Sequence, residues 1–131
     1  MIKILLVEEQ AMLRESLACI IGGQADMEIA GTANDVSKAL QLCRELKPDL
    51  LLMNAEIEKT NAINVAALIR KELPEVKIVI MIASQNITLE DEARKAGAHS
   101  LIYKTSSFKD LSFVIRCSME GTGYYQVGLI K

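Results

Sequence analysis

Tryptophan is missing from this chain, proline occurs twice and histidine once, and the aromatic residues amount to three tyrosines and two phenylalanines. With His99 the single histidine and Cys19, Cys43 and Cys117 far apart, no ligand set at zinc spacing can be assembled. A hydrolase of the Ser-His-Asp or Cys-His kind would have to use His99, and no nucleophile turn lies near it. The cysteines read instead as reduced thiols packed on helices, suited to a reducing compartment. No apolar run approaches the roughly 20 residues a bilayer span requires. Met1-Ile-Lys leads straight into a strand-like run rather than a signal peptide. The 17 acids nearly balance the 15 bases, so a net charge of −2 offers no broad footprint for nucleic acid or an anionic membrane. The expectation is a soluble, cytoplasmic protein that meets neither membrane nor nucleic acid through these residues.

What the chain does have is apolar content. Half of its 131 residues are hydrophobic, which excludes disorder and suffices for one domain with a real core. Five short runs, Ile2–Val7, Met27–Ala33, Asp49–Asn54, Lys77–Ile82 and Ser100–Tyr103, are rich in Val, Ile and Leu and mostly continuous. Strands buried on both faces of a parallel sheet have this pattern. Helical patterns lie between them. Leu13, Leu17, Ile20 and Ile21 share one face, stopped by Gly22-Gly23. Val36, Ala39, Leu40 and Cys43 share another, ending before Lys47-Pro48. Ile63, Ala66, Ala67 and Arg70 form a third, closed by Leu73-Pro74. Thr88-Leu-Glu-Asp91 resembles a capping box opening a fourth helix that stops at Gly97, and Ser107 is placed to cap a fifth. Five βα units in succession predict a three-layer α/β sandwich around a five-stranded parallel sheet. Residues 1–120 read as the domain and 121–131 as a tail or the start of a linker.

In such a fold the functional crevice lies outside the carboxyl ends of the strands, where the strand order reverses. The chain places Glu8 and Glu9 after the first strand, Asn54 at the end of the third, Ile82-Ala83-Ser84 at the fourth and Lys104 after the fifth. Two acids, an amide and a lysine thus converge on one crevice. Lys104 is expected to pair with Glu8 or Glu9, tying the first and fifth strand ends together. No glycine-rich phosphate loop and no second basic residue lie nearby, which argues against a nucleotide.

Four stretches, Ile2–Gln10, Glu45–Asn54, Glu72–Ile78 and Lys95–Lys104, together resemble the receiver domains of two-component response regulators, in particular those that precede a LuxR-type helix-turn-helix. The resemblance spans about residues 1–120 and implies the flavodoxin-like (βα)5 fold. It also implies phosphoryl transfer to an aspartate at the end of the third strand, a magnesium ion held by that aspartate and two acids after the first, and a hydroxyl and a lysine on the phosphoryl oxygens. Here the acceptor position is Asn54, the acids are Glu8 and Glu9, the hydroxyl position is Ile82, and the position of the family's switching aromatic is Leu101. Only Lys104 is unchanged.

An amide is a poor nucleophile and removes a charge from the metal site. Glu8 and Glu9 are therefore expected to hold magnesium weakly at most, with no other cofactor. The expected function is a phosphorylation-independent receiver, not an enzyme, acting by association with a protein partner or as a homodimer. The resemblance places that association on the fourth helix, fifth strand and fifth helix, and all five aromatics, Tyr103, Phe108, Phe113, Tyr124 and Tyr125, lie in or after that strand. A DNA-binding output domain would have to follow in a longer chain, since no helix-turn-helix pattern is present. Two alternatives stay open: a small-ligand sensor using the altered crevice, and phosphorelay through another acid such as Glu56 or Glu58.

Overall fold

The computed structural model describes residues 1–55, 59–83, 86–104 and 106–125, with residues 59 and 60 described by their backbone alone. The elements run β1 (Ile2–Val7), α1 (Ala11–Gly22), β2 (Met27–Ala33), a 3₁₀ turn (Val36–Lys38), α2 (Ala39–Leu46), β3 (Leu50–Asn54) and α3 (Lys59–Glu72). They continue with β4 (Lys77–Ile82), α4 (Ile87–Ala96), β5 (Ser100–Tyr103), α5 (Phe108–Met119) and β6 (Tyr124–Tyr125). The strands form one parallel sheet in the order 2-1-3-4-5-6, so the order reverses between β1 and β3.

The apolar runs explain the layering. Alternate side chains of each central strand point to opposite faces. Leu5, Val7, Leu51, Met53, Ile78, Ile80, Ile82 and Leu101 pack in one core cluster with Cys43, Ala66, Ile69, Leu89 and Ala93 of α2, α3 and α4. Ile4, Leu6, Leu50, Leu52, Val79, Met81 and Ile102 pack in a second cluster with Ile21 of α1 and Leu111, Val114 and Ile115 of α5. A sheet buried on both sides needs apolar residues at every position, which is why its strands do not alternate. Burial drives the Cys43 thiol up to about 11, so it is an inert core residue.

Three details differ from the expectations. The sheet has six strands, not five, because β6 pairs with the outer edge of β5 through Ser100↔Tyr124 and Leu101↔Tyr125. Gly121, at φ +87°, turns the chain back after α5, and Gly123 passes where an added Cβ would lie 2.5 Å from the His99 carbonyl oxygen. Tyr124 N–H donates to Ser100 Oγ at 3.0 Å, and Tyr125 Oη–H to the Ala98 carbonyl at 2.7 Å. Second, α4 is capped by Asn86, whose Oδ1 accepts from Leu89 N–H at 3.0 Å, so Thr88 lies inside the helix instead of capping it. Third, α1 buries less than its pattern suggests: Ile21 is its one buried residue, Leu13 and Leu17 are half-buried, and Ile20 stays 44% exposed. Ser107 caps α5 as expected, accepting from Asp110 N–H at 3.2 Å.

Candidate functional site

The crevice at the β1–β3 reversal is built around Glu8. Parallel pairing of β1 with β3 sets Val7 beside Met53, so the next residues on each strand, Glu8 and Asn54, emerge together at the carboxyl end of the sheet. Glu8 N–H still bonds the Ala33 carbonyl at 3.0 Å, which carries the strand conformation one residue further. The Glu8 side chain is fully buried. Asn54 Nδ2 donates to both of its carboxylate oxygens at 3.1 Å, Gln10 N–H donates to Oε2 at 3.0 Å, and Lys104 Nζ stands 3.3 Å from Oε1. A buried carboxylate needs such partners, since an uncompensated charge in the interior is far costlier than a paired one. Gln10 is also the N-cap of α1, so the anion sits at the positive end of that helix.

Arg14, one turn into α1, closes the loop from the outside. Its guanidinium donates to the carbonyls of Glu8 at 2.9 Å and Glu9 at 3.3 Å. Glu9 itself is exposed. Successive residues leaving a strand point opposite ways, and of the two acids Glu8 enters the crevice and takes Lys104.

The oxygens of Glu8 are engaged by protein donors. Magnesium wants several oxygen ligands in a near-octahedral array at about 2.0–2.1 Å. The oxygens that Glu8 could offer already accept from an amide, a backbone N–H and an ammonium, and Asn54 turns a donor toward them where a ligand oxygen would be needed. No grouping of three His, Cys, Asp or Glu side chains suited to a metal exists among the described residues.

The two residues that the sequence led us to expect at altered switch positions lie deep in the fold. Ile82 and Leu101 are both 0% exposed and share the core cluster with Leu89 and Ala93 of α4. Lys104 N–H bonds the Ile82 carbonyl at 2.7 Å, so β4 and β5 stay zipped up to the lysine that enters the crevice. Tyr103, half-buried beside them, donates from Oη to Glu90 Oε1 of α4 at 3.2 Å. Burial and the neighbouring Glu90 carboxylate raise the Tyr103 phenol above its ordinary value, so it stays a donor at neutral pH. This β5–α4 tie was not read from the sequence, where Tyr103 counts only among the aromatics. The roles of Gln10 and Arg14 were also missed, and Arg14 is a second basic residue beside the crevice where none was expected; an arginine one turn inside a helix that follows an acidic strand end was the available signal. Ser84, Glu56 and Glu58 lie outside the described residues.

β6 brings α4, β5 and α5 together on one face. The Arg94 guanidinium of α4 stacks 3.9 Å over the Tyr125 ring, and Tyr124 meets Phe113 of α5 edge-on with ring centroids 6.4 Å apart. Phe113 is 59% exposed and Tyr124 40%, an aromatic pair left facing solvent.

Among known protein families, residues 4–116 match the response regulator receiver domain. The chain is 30% identical over 125 residues to the response regulator protein VraR of Staphylococcus aureus, covering 95% of this chain and 60% of that protein. It thus spans about three-fifths of the length of the curated relatives it matches. The solved response regulator domain of Thermotoga maritima CheB superposes with a TM-score of 0.81 at 30% identity, covering 91% of this chain and 96% of that one. A LuxR-family two-component response regulator from Aurantimonas sp. SI85-9A1 shares the fold, with a TM-score of 0.87 at 24% identity over 94% of this chain and 88% of that one.

Proposed function

The chain belongs to the response regulator receiver domain family, and we propose that it serves two-component signalling as a receiver that takes no phosphoryl group and works by association. One observation carries this reading: Asn54 ends β3 with its Nδ2 on both oxygens of Glu8. The position that must supply an attacking carboxylate oxygen supplies a neutral amide whose nitrogen faces inward as a donor. Lys104 neutralises Glu8 directly, so the cluster is complete without metal or phosphate. On this reading the chain performs no chemistry of its own.

A working switch needs two states that a ligand can tell apart. Ile82 and Leu101 fill the core where a hydroxyl and a mobile ring would act, and the Tyr103–Glu90 bond ties α4 to β5. These contacts favour one fixed conformer. We assign its association face to α4, β5 and α5, extended by β6, with Phe113 and Tyr124 as the exposed anchor; tyrosine is enriched among interface hot spots. The occupant is a protein partner or a second copy, and any output on DNA falls to sequence outside these 131 residues.

Light scattering across a concentration series, without a phosphoryl donor, tests the face. Association that Phe113→Asp or Lys109→Glu weakens is expected. A strict monomer whose partner binding ignores both substitutions would contradict the assignment.

A further inference from the structure

Next to the polar crevice, between α1 and α5, a cleft of about 210 Å³ opens to solvent. Leu17 of α1, Met81 of β4, Ile102 of β5, and Phe108 and Leu111 of α5 line it. Ile20, also in the lining, leaves 44% of its surface exposed, so apolar area there is uncovered. Lys104 lines the cleft as well and is the one charged side chain in the lining among the described residues. Its ammonium carries three N–H donors, of which Glu8 Oε1 at 3.3 Å accounts for one.

We propose that this cleft binds a small amphiphilic anion, a monocarboxylate whose hydrocarbon body lies between α1 and α5 and whose carboxylate meets Lys104. Size and charge select that class. A cavity of about 150 Å³ lined by Leu, Ile and Phe takes a benzene ring, so the larger volume here suits roughly eight carbons. An uncharged hydrocarbon would leave the remaining Lys104 donors unused, and a dianion would set two charges against one ammonium already shared with Glu8. The bound carboxylate becomes a second acceptor for the lysine that joins the ends of β1 and β5. Ligand in the cleft thus couples α1 and α5 to the buried cluster. This inference is independent of the reading of Asn54, because the lining does not include that residue.

The test titrates the full chain with hexanoate, heptanoate and octanoate, and with octanol as the uncharged control, by calorimetry and by amide chemical shifts. Affinity should tighten about fourfold per added methylene, octanoate should bind several-fold more tightly than octanol, and the shifts should map to Leu17, Ile102 and Phe108. Lys104→Met should abolish the preference for octanoate over octanol. Since that substitution strips Glu8 of its cation, Leu17→Trp, at a half-buried surface position, provides a second variant that fills the cleft and should remove binding of both. Absence of saturable octanoate binding, shifts mapping to another surface, or octanoate affinity unchanged in Leu17→Trp would each overturn the proposal.

Discussion

Asn54 Nδ2 lies 3.1 Å from both carboxylate oxygens of Glu8, so the two residues that a phosphorylatable crevice would use as acids are here donor and acceptor of a shared hydrogen bond. Replacing Asn54 by Asp turns this attraction into a clash of like charges. Only Lys104 offsets two carboxylates, so the pair in the folded state keeps a proton to higher pH than the unfolded chain, whose carboxyl values lie near 4. The folded state then binds more protons, and stability falls as pH rises above about 4. Asn54→Asp is expected to cost about 1–2 kcal/mol at pH 7.5 and little at pH 4.5, read from urea midpoints at the two values. Equal losses at both would contradict the geometry.

Lys104 and Glu8 should be strongly coupled. Removing the ammonium leaves a buried carboxylate with neutral partners, which costs about 3 kcal/mol or more. Lys104→Met should show that loss, while Lys104→Met combined with Glu8→Gln should recover most of it. A double-mutant cycle measures the coupling; additive losses would mean that the 3.3 Å contact contributes nothing.

His99 provides a pH test free of overlap, being the single histidine. Its Nδ1 accepts from Ile78 N–H at 2.9 Å, so the fold uses the neutral ring. Burial, then the charges of Lys77 and Arg70, hold it below its ordinary value. A depressed value means that the folded state resists a proton the unfolded chain accepts. The stability is therefore complete above about pH 6.5 and is lost as pH falls below it. Following the ring by NMR should place its midpoint below 6.5; a midpoint at or above that value would refute the assignment.

The sixth strand depends on one glycine. A Cβ at position 123 would approach the His99 carbonyl oxygen to 2.5 Å, against backbone that cannot swing aside. Gly123→Ala should detach β6 and expose the Tyr125 hydroxyl, whose titration burial pushes up to about 12. Ultraviolet titration should then show that tyrosine returning toward about 10. An unchanged titration curve would show that β6 tolerates the methyl group.

Much of this molecule was legible in the sequence, for identifiable reasons. The inner strands β1, β3, β4 and β5 stood out because burial on both faces forces continuous Val, Ile and Leu; Asn54, Ile82 and Lys104 could be placed by counting to the strand ends, whereas Leu101 was placed through the family resemblance. β6 could not be placed, since two residues carry no periodicity and their strand exists through Ser100, Ala98 and the passage of Gly123 past His99. Glu8 and Glu9 were indistinguishable as letters; the pleat decided which one is buried. Thr88 fitted a capping box, but Asn86 came earlier in the chain and took the Leu89 N–H.

The central claim is that the end of β3 accepts no phosphoryl group, and intact-mass measurement after incubation with acetyl phosphate and magnesium tests it most directly. The arrangement of Asn54, Glu8 and Lys104 predicts a chain of unchanged mass. A stoichiometric phosphoryl adduct removed by hydroxylamine, the signature of an acyl phosphate, would contradict the account.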